Sequence, residues 1–211
     1  MQPAELCEDP RAMLAASARE FYRRGWMLGT AGNLSARLPD DSFWITASGR
    51  PKDLLTETDF VRVDDEGRVL EAAAMRKPSA ETAIHRVIYR HFAEARWIFH
   101  VHSVEANLCG HFARDGALRL PPLEMLKGLG VPDAEPEVDL PVFPNLVDVA
   151  AIAVRMDAEF ARHRPRVPGA LIHRHGLTAW GPDAHAARHH LELLEYCFRY
   201  LVQARSLALG D

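Results

Sequence analysis

The chain has 211 residues, of which 48% are hydrophobic and 26% charged, an ordinary composition for a globular protein large enough to bury its own core. Its formal net charge of −4 provides no general attraction to nucleic acid or to an anionic membrane, so an anionic ligand must be bound by a local site. No apolar run approaches the ~20 residues of a membrane span, and the acidic start lacks the features of a signal peptide. We therefore expect one cytoplasmic domain spanning residues 1–211, with residues 1–9 as a flexible tail.

Cysteine and histidine usage narrows the chemistry. The three cysteines, Cys7, Cys109 and Cys197, lack paired spacing, which argues against a disulfide framework or a cysteine zinc site and predicts reduced, structural thiols. The eleven histidines are too many to be interpreted by abundance alone. Five of them have a helical context that suggests solvent exposure: His85, His91, His185, His189 and His190.

A helix is predicted over residues 10–24, where apolar side chains recur at helical spacing and Gly25 provides a stop. A glycine-rich segment, 29–35, follows it and combines two glycines with small polar side chains. Such a segment can direct several backbone N–H groups toward an anion, although a tight turn into the next strand explains it equally well.

A strand predicted over residues 43–46 runs into a second small-residue loop, 47–52, which ends at Lys52. Two such loops in succession indicate a pocket for phosphate or another oxyanion. The alternative for Lys52 is a solvated surface lysine. Residues 59–63 and 68–70 flank a polar turn and are predicted to form a hairpin.

The next helix is predicted to begin at Ser79, its N-cap, and to end near residue 92. Glu81 then lies in the first turn, where the helix dipole favours a carboxylate. Capping alone explains this position, but a helix N-terminus that faces a site would make Glu81 a candidate acid or base.

Two histidines stand one residue apart in the apolar run from Trp97 to Ser103. Alternate side chains of a strand share a face, so His100 and His102 would point the same way. Two neutral imidazoles in that arrangement can both ligate a divalent metal ion such as zinc. The alternative is a pair of hydrogen-bonded histidines on a half-buried strand.

The second half of the chain contains further predicted elements. They are a helix over 104–113, a short apolar element over 123–130, a strand over 140–143, a helix over 146–163, a strand over 170–181 and a closing helix over 184–204. Pro141 favours an edge position for its strand because proline cannot donate to a ladder. Asn145 is the predicted cap of the helix that follows, and the strand over 170–181 carries a second His-x-His, His173 and His175.

Glu124 is the carboxylate in the short apolar element. A carboxyl among leucine and methionine side chains is in the setting that raises a pKa by desolvation, as a general acid requires. The alternative is an exposed Glu124 paired with Lys127.

Three histidines from two strands, namely His100, His102 and either His173 or His175, would leave a metal with an open position, as in catalytic zinc sites. An open zinc ion beside an anion pocket suits polarisation of a carbonyl in a phosphorylated sugar-like substrate. The reactions that fit run through an enediolate: aldol cleavage, epimerisation or loss of water.

The order of the motifs resembles that of the class II aldolase and adducin head family, over almost the whole chain. The motifs are Gly32-Asn33-Leu34-Ser35, Thr46-Ala47-Ser48-Gly49, Lys77-Pro78-Ser79-Ala80-Glu81, His100-x-His102 and Arg174-His175-Gly176. This resemblance implies a single-domain, three-layer α/β fold whose central, mainly antiparallel sheet is flanked by helices. It also implies one zinc ion per subunit and a homo-oligomer, by resemblance a tetramer.

Site residues follow from the resemblance position by position. His100, His102 and His175 match the zinc ligands, because the third ligand of the family directly precedes a glycine. Glu124 matches the acid/base of the family's dehydratases, some of which carry a cysteine at the position of Glu81, where the aldolases keep their catalytic carboxylate. Thr30, Asn33, Ser48, Gly49 and Ser79 match the phosphate-binding positions of the family. Gly32 and Lys52, which lie in the two small-residue loops, complete the predicted phosphate site.

The segments 123–128 and 174–181 resemble the dehydratases of the family. The implied reaction is zinc-dependent loss of water from 5-methylthioribulose 1-phosphate to give 5-methylthio-2,3-dioxopentyl phosphate, a step of methionine salvage. In it zinc binds the C2 carbonyl and C3 oxygens, and Glu124 protonates the departing C4 hydroxyl. Removal of the C3 proton is left open between Glu81, Glu124 and a zinc-bound water.

Two other functions fit parts of the pattern. A class II sugar-phosphate aldolase or pentulose-phosphate epimerase would use the same zinc site, but the segment 124–128 differs from the glycine- and alanine-rich segment of the aldolases. A metal-free interaction domain like the adducin head would not require the histidines at 100, 102 and 175.

Overall fold

The computed structural model describes residues 9–208. The predicted tail therefore lies outside the described residues except for Asp9, whose side chain accepts a hydrogen bond from the backbone N–H of Arg11 and caps the first helix. Cys7 is also outside them, whereas Cys109 and Cys197 are free and buried, as predicted. The helices are α1 Pro10–Arg23, α2 Thr82–His91, α3 Val104–Cys109, α4 Val149–Phe160 and α5 Ala184–Ser206.

The strands of the described chain form one nine-stranded sheet. They are β1 Asn33–Arg37, β2 Phe43–Thr46, β3 Phe60–Val63, β4 Val69–Ala72, β5 Trp97–Val101, β6 Ala117–Arg119, β7 Asp139–Phe143, β8 Gly169–Ile172 and β9 Gly176–Gly181. Their order is β4-β3-β2-β1-β5-β9-β8-β7-β6, and among these pairs only β7–β8 is parallel. One core cluster joins the sheet to α1, α3 and α5, and a second joins it to α2 and α4. The predicted α/β fold, a mainly antiparallel sheet between two helical layers, is confirmed. Within residues 9–208 no helix is both long and apolar enough to cross a membrane.

The elements before the first histidine pair largely agree with the sequence-based expectation. The structure confirms α1, β2 and the hairpin of β3 and β4. It also adds β1, because the second half of the predicted glycine-rich loop pairs with both β2 and β5. Asparagine is a weak strand former, so pairing with neighbouring strands determines this conformation: Asn33 pairs with β5, and Ser35 pairs with both β2 and β5.

Two predicted helix caps are wrong. Helix α2 begins at Thr82 with Glu81 as its N-cap residue, and Ser79 lies before it. Helix α4 begins at Val149, where Asp148, not Asn145, accepts a hydrogen bond from a backbone N–H. Several capping residues stand close together at both places, and their intrinsic preferences are too similar to rank them.

The predicted edge position of the strand at Pro141 is also wrong, because β6 covers β7 from the outside. The parallel pairing with β8 begins only at Val142. Pro141 therefore precedes that ladder, and its missing N–H interrupts no bond to β8.

The region predicted as one strand over 170–181 is a hairpin. Strands β8 and β9 pair antiparallel, and the turn between them contains both histidines of the second His-x-His. Arg174, at the centre of the turn, has a φ of +53°, in the left-handed region. Because of this turn, His173 and His175 do not share a face as they would in a strand.

A buried carboxyl on α5 gives the stability of this fold a specific pH dependence. Glu195 is 4% exposed, its Oε1 atom has no hydrogen-bond partner within residues 9–208, and burial raises its pKa to about 8 although Ser103 opposes the shift. The pKa of the folded state thus exceeds that of the unfolded chain, so the stabilisation is complete below the unfolded value of about 4.5 and is lost as the pH rises through about 8.

We expect Glu195→Gln to remove this loss. Between pH 5 and 8 the unfolding free energy of the unaltered protein should fall by up to about 1.4 kcal/mol per pH unit more than that of the variant. Urea denaturation at several pH values measures the difference. Parallel curves for the two proteins would show that Glu195 does not titrate in this range.

Candidate metal centre and anion pocket

Three histidines meet where β5 ends and β9 begins. His100 is in β5, His102 follows that strand directly, and His175 is in the turn before β9. Strands β5 and β9 are antiparallel neighbours, so the end of one lies beside the start of the other. The three imidazole rings have centroids 4.6–5.1 Å apart and are nearly perpendicular to one another. We call these residues the histidine cluster.

Two glycines allow the backbone to approach the cluster closely. A Cβ atom at Gly176 would lie 2.1 Å from the carbonyl oxygen of Val101, and one at Gly32 would lie 2.7 Å from that of His100. Gly32 also has a φ of +80°, which side chains disfavour. Each of the two glycines is thus a packing requirement of this region.

Glu81 adds a carboxylate to the cluster. Its Oε2 atom lies 3.0 Å from His100 Nε2, and its Oε1 atom lies 3.1 Å from His175 Nε2. His100 Nε2 and His102 Nε2 are 2.9 Å apart. The N-cap position of Glu81, just before α2, therefore serves the histidines, since its side chain makes no capping hydrogen bond.

The four residues fit a divalent metal ion. Their potential ligand atoms all lie within 4.8 Å of one another. Tetrahedral zinc with bonds of about 2.0–2.1 Å holds its ligand atoms about 3.3 Å apart, close to the separations above. A cation among them would satisfy three imidazole nitrogens and a carboxylate at once, and such nitrogen and oxygen donors suit zinc and similar ions.

The protonation states favour metal binding. Burial lowers the pKa of His100 to about 4 and that of His102 to about 3, so both imidazoles are neutral near pH 7. Burial by itself raises the pKa of Glu81, but His100, His175 and Asn33 together hold it well below its usual range. His100 Nδ1 is hydrogen-bonded to Thr178 Oγ1 at 2.8 Å, which orients the ring with Nε2 toward the cluster.

A cavity of about 270 Å³ adjoins the cluster, and Glu81 and His102 line its wall. Every residue predicted to bind phosphate lines this cavity: Thr30, Gly32, Asn33, Ser48, Gly49, Lys52 and Ser79. The two small-residue loops thus face each other across one space, which we call the anion pocket.

Lys52 joins the two loops. Its ammonium group donates to the carbonyl oxygens of Thr30 at 2.7 Å and Arg50 at 2.9 Å, and the residue is 1% exposed. The alternative of a solvated surface lysine is therefore wrong. Burial lowers the pKa of Lys52 to about 8, partly offset by Glu81, so the group is mostly charged at neutral pH.

Two other predicted site positions lie apart from the cluster. Glu124 is in a 3₁₀ segment, its side chain is 81% exposed, and it pairs with Lys127 at 2.9 Å, so the exposed alternative describes this chain. The Nδ1 atom of His173 is 3.0 Å from the carbonyl oxygen of Gly110. Of the two candidates in the second His-x-His, His175 is the one that joins the cluster.

Two residues of this region were not predicted from the sequence as site residues, namely Thr178 and His85. The helical context of His85 predicted a solvated side chain, but this residue is completely buried between Asn33 and Ser35. Its position four residues after Glu81 was an available signal, because residues with that spacing share one helix face.

The fold and the site define a family. The family model described as "Class II Aldolase and Adducin N-terminal domain" matches residues 12–202. The chain belongs to this family.

Individual proteins that are similar to this chain carry more specific names than the family does. The chain is 55% identical over 197 residues to methylthioribulose-1-phosphate dehydratase from Microcystis aeruginosa, with 93% of this chain and 96% of the relative covered. It is 40% identical over 195 residues to the protein of the same name from Enterobacter sp., with 92% and 94% covered. Among solved structures, L-fuculose-1-phosphate aldolase from Thermus thermophilus is similar with a TM-score of 0.73 and 27% identity, and 94% of this chain and 95% of that one are covered.

Proposed function

We propose that this protein removes water from methylthioribulose 1-phosphate. The main support is a cluster of three imidazoles and a carboxylate beside an anion pocket, in a chain 55% identical to a methylthioribulose-1-phosphate dehydratase. The pocket offers a place for the phosphate, and the cluster offers a place for the carbonyl end of the sugar. The reaction would belong to methionine salvage.

His100, His102 and His175 are the proposed ligands of one zinc ion. When bound there, zinc would polarise the substrate carbonyl and stabilise the negative charge that develops as the neighbouring carbon loses its proton. Thr178 would keep His100 in the orientation that ligation needs.

The phosphate is proposed to bind between the two loops of the anion pocket. Ser48 and Ser79 would supply hydroxyl donors, and the backbone around Gly32 and Gly49 would supply N–H groups. Lys52 already uses two of its three N–H bonds on loop carbonyls, so it would both join the loops and contribute a positive charge.

Two carboxylates are proposed to move the protons. Glu81, ionised and beside the cluster, would accept the proton from C3. The C4–O bond would then break, and Glu124 would donate the proton with which the hydroxyl leaves as water. The resulting enol, with its double bond between C3 and C4, would take up a proton at C4 and lose its hydroxyl proton to give the diketone.

The exposure of Glu124 bears on assembly. In one chain it faces solvent beside Lys127, and in the described residues it does not line the anion pocket. We therefore propose a homo-oligomer, a tetramer by family resemblance, in which Glu124 of one copy approaches the site of another.

The assay that tests the function compares dehydration with carbon–carbon cleavage. We expect zinc-loaded protein to convert methylthioribulose 1-phosphate to a product with the ultraviolet absorbance of a diketone. The second candidate function, aldol cleavage, is favoured only by the more distant structural similarity to L-fuculose-1-phosphate aldolase. Release of dihydroxyacetone phosphate from fuculose 1-phosphate, without dehydration of the thioether substrate, would replace the proposal with that candidate.

Replacing Glu124 with glutamine should lower kcat by about 10²–10⁴-fold, because the departing hydroxyl loses its proton donor. Metal content should not change, since the histidine cluster is intact. The matched control is Glu66→Gln, another exposed carboxylate paired with a basic side chain, which should leave kcat unchanged. A near-normal rate for the Glu124 variant would remove this residue from the mechanism.

A further inference from the structure

A continuous line of buried polar side chains runs from the interior of the protein to Glu81. Tyr89 OH lies 2.7 Å from Ser35 Oγ, which lies 2.6 Å from His85 Nδ1. His85 Nε2 lies 2.6 Å from Asn33 Oδ1, and Asn33 Nδ2 donates to Glu81 Oε2 at 2.9 Å. All four side chains behind Glu81 are at most 5% exposed.

The direction of every hydrogen bond in this line follows from the Glu81 carboxylate at its end. The Glu81 carboxylate can only accept, so the amide of Asn33 must turn its Nδ2 toward Glu81 and its Oδ1 toward His85. His85 Nε2 must then carry the hydrogen, which leaves Nδ1 of the neutral ring as an acceptor for the Ser35 hydroxyl. Ser35 in turn accepts from Tyr89. All four donors therefore point toward Glu81.

The burial of His85 and Tyr89 maintains these hydrogen-bond directions. Burial lowers the pKa of His85 to about 4, so the ring is neutral at pH 7 and has a single N–H. Burial also raises the pKa of Tyr89 well above its usual range, so the phenol remains a donor. Reversing the Asn33 amide would set its oxygen against the Glu81 carboxylate. The hydrogen of His85 would also have to move to Nδ1, and Tyr89 would have to donate to the carbonyl oxygen of Arg96 at 3.4 Å, for the rest of the line to stay paired.

We propose that Asn33 and His85 are positioning residues for Glu81, with His85 held as the Nε2–H tautomer so that Asn33 presents its amide N–H to Glu81 Oε2. This inference rests on the proposed function for its catalytic consequence. One carboxylate oxygen of Glu81 lies beside His100 and the other lies beside His175. A carboxylate that rotated freely would lose both of these contacts. The Asn33 amide fixes the rotation, and His85 prevents the amide from turning over.

A purely structural role for His85 would predict something different. A core histidine that only fills space tolerates either tautomer and either end of a neighbouring amide. Here side chains from β1, from α2 and from the loop before α2 form one line whose final acceptor is the Glu81 carboxylate. The tautomer and the identity of the donor are therefore the properties to test.

The first test reads the tautomer directly. Long-range ¹H–¹⁵N correlation spectra of protein labelled on histidine, with His85 assigned by comparison with the His85→Gln variant, should show a neutral ring protonated on Nε2. A ring protonated on Nδ1 would reverse the line and overturn the proposal. This measurement does not depend on any enzymatic activity.

The second test compares two variants of similar size. His85→Gln can still donate an N–H to Asn33 Oδ1, whereas His85→Met cannot. We expect kcat of the methionine variant to fall about 10–100-fold, the range typical of lost outer-shell partners, with KM, metal content and the circular dichroism spectrum unchanged. The glutamine variant should recover most of that loss. The control His91→Asn alters a histidine on the same helix that pairs with Asp157 and should leave kcat unchanged.

Failure of the positioning role and failure of the proposed function give different results. Equal kcat losses in the glutamine and methionine variants, or none in either, would overturn the positioning role. If the unaltered protein fails to dehydrate the substrate, the proposed function fails, while the tautomer measurement still decides the arrangement of the hydrogen-bond line.

Discussion

Replacing His175 with alanine should release the metal and lower turnover by about 10³-fold or more, whereas the same change at His173 should leave both properties unchanged. The loss at His175 follows from removing one of three proposed ligands and with it the stabilisation of the developing negative charge, which is worth several kcal/mol. His173 lies two residues away but bonds to the carbonyl oxygen of Gly110, outside the cluster. Metal analysis and steady-state kinetics on both purified variants measure the contrast.

This pair of variants tests the assignment sharply because both histidines belong to one His-x-His motif and one turn. A general effect of disturbing the turn would appear in both. Loss of metal from the His173 variant with retention in the His175 variant would reverse the assignment. Retention in both would mean that the metal is bound elsewhere.

Replacing Glu81 with glutamine should lower kcat by about 10²–10⁴-fold and leave the metal bound. Glutamine keeps the size of the side chain and can still accept a hydrogen bond from Asn33, but it cannot accept a proton. The three imidazoles remain as ligands, so metal content should stay at that of the unaltered protein. Steady-state kinetics together with metal analysis distinguish this outcome from loss of the site.

The matched control for Glu81 is Glu195→Gln, which changes another well-buried glutamate without touching the cluster. We expect its kcat at pH 7 to be that of the unaltered protein. A Glu81 variant with near-normal turnover would assign the C3 proton to another acceptor, Glu124 or a metal-bound water.

Local patterns in the sequence were sufficient for the parts of this protein that depend on periodicity. The spacing of two along a strand places His100 and His102 on one side of β5 whatever surrounds that strand. The two small-residue loops predicted a shared pocket for an anion. The structure places both loops around one cavity, and binding of an anion there stays a prediction. The helices α1 and α5 and the hairpin of β3 and β4 followed from the same kind of pattern.

Other features required neighbours that are distant in the chain. Lys52 is buried because carbonyl groups from both loops accept hydrogen bonds from its ammonium group. The Glu81 side chain contacts the histidine cluster instead of capping α2 because His100 and His175 lie beside it. His85 looked like a solvated helical histidine until β1, an unpredicted strand, enclosed it. In each case a decisive partner comes from another part of the chain, so a local pattern contains at most part of the information.

The choice between His173 and His175 shows the division most directly. The sequence pattern by itself predicted two metal ligands, His100 and His102, and did not choose between His173 and His175 as the third. The family resemblance favoured His175, which precedes Gly176. The tertiary structure decided the geometry through the turn between β8 and β9, with Arg174 in the left-handed region. A strand would have turned both side chains to one face, whereas the turn sends His175 to the cluster and His173 to Gly110, because the pairing of β9 with β5 fixes where the turn must lie.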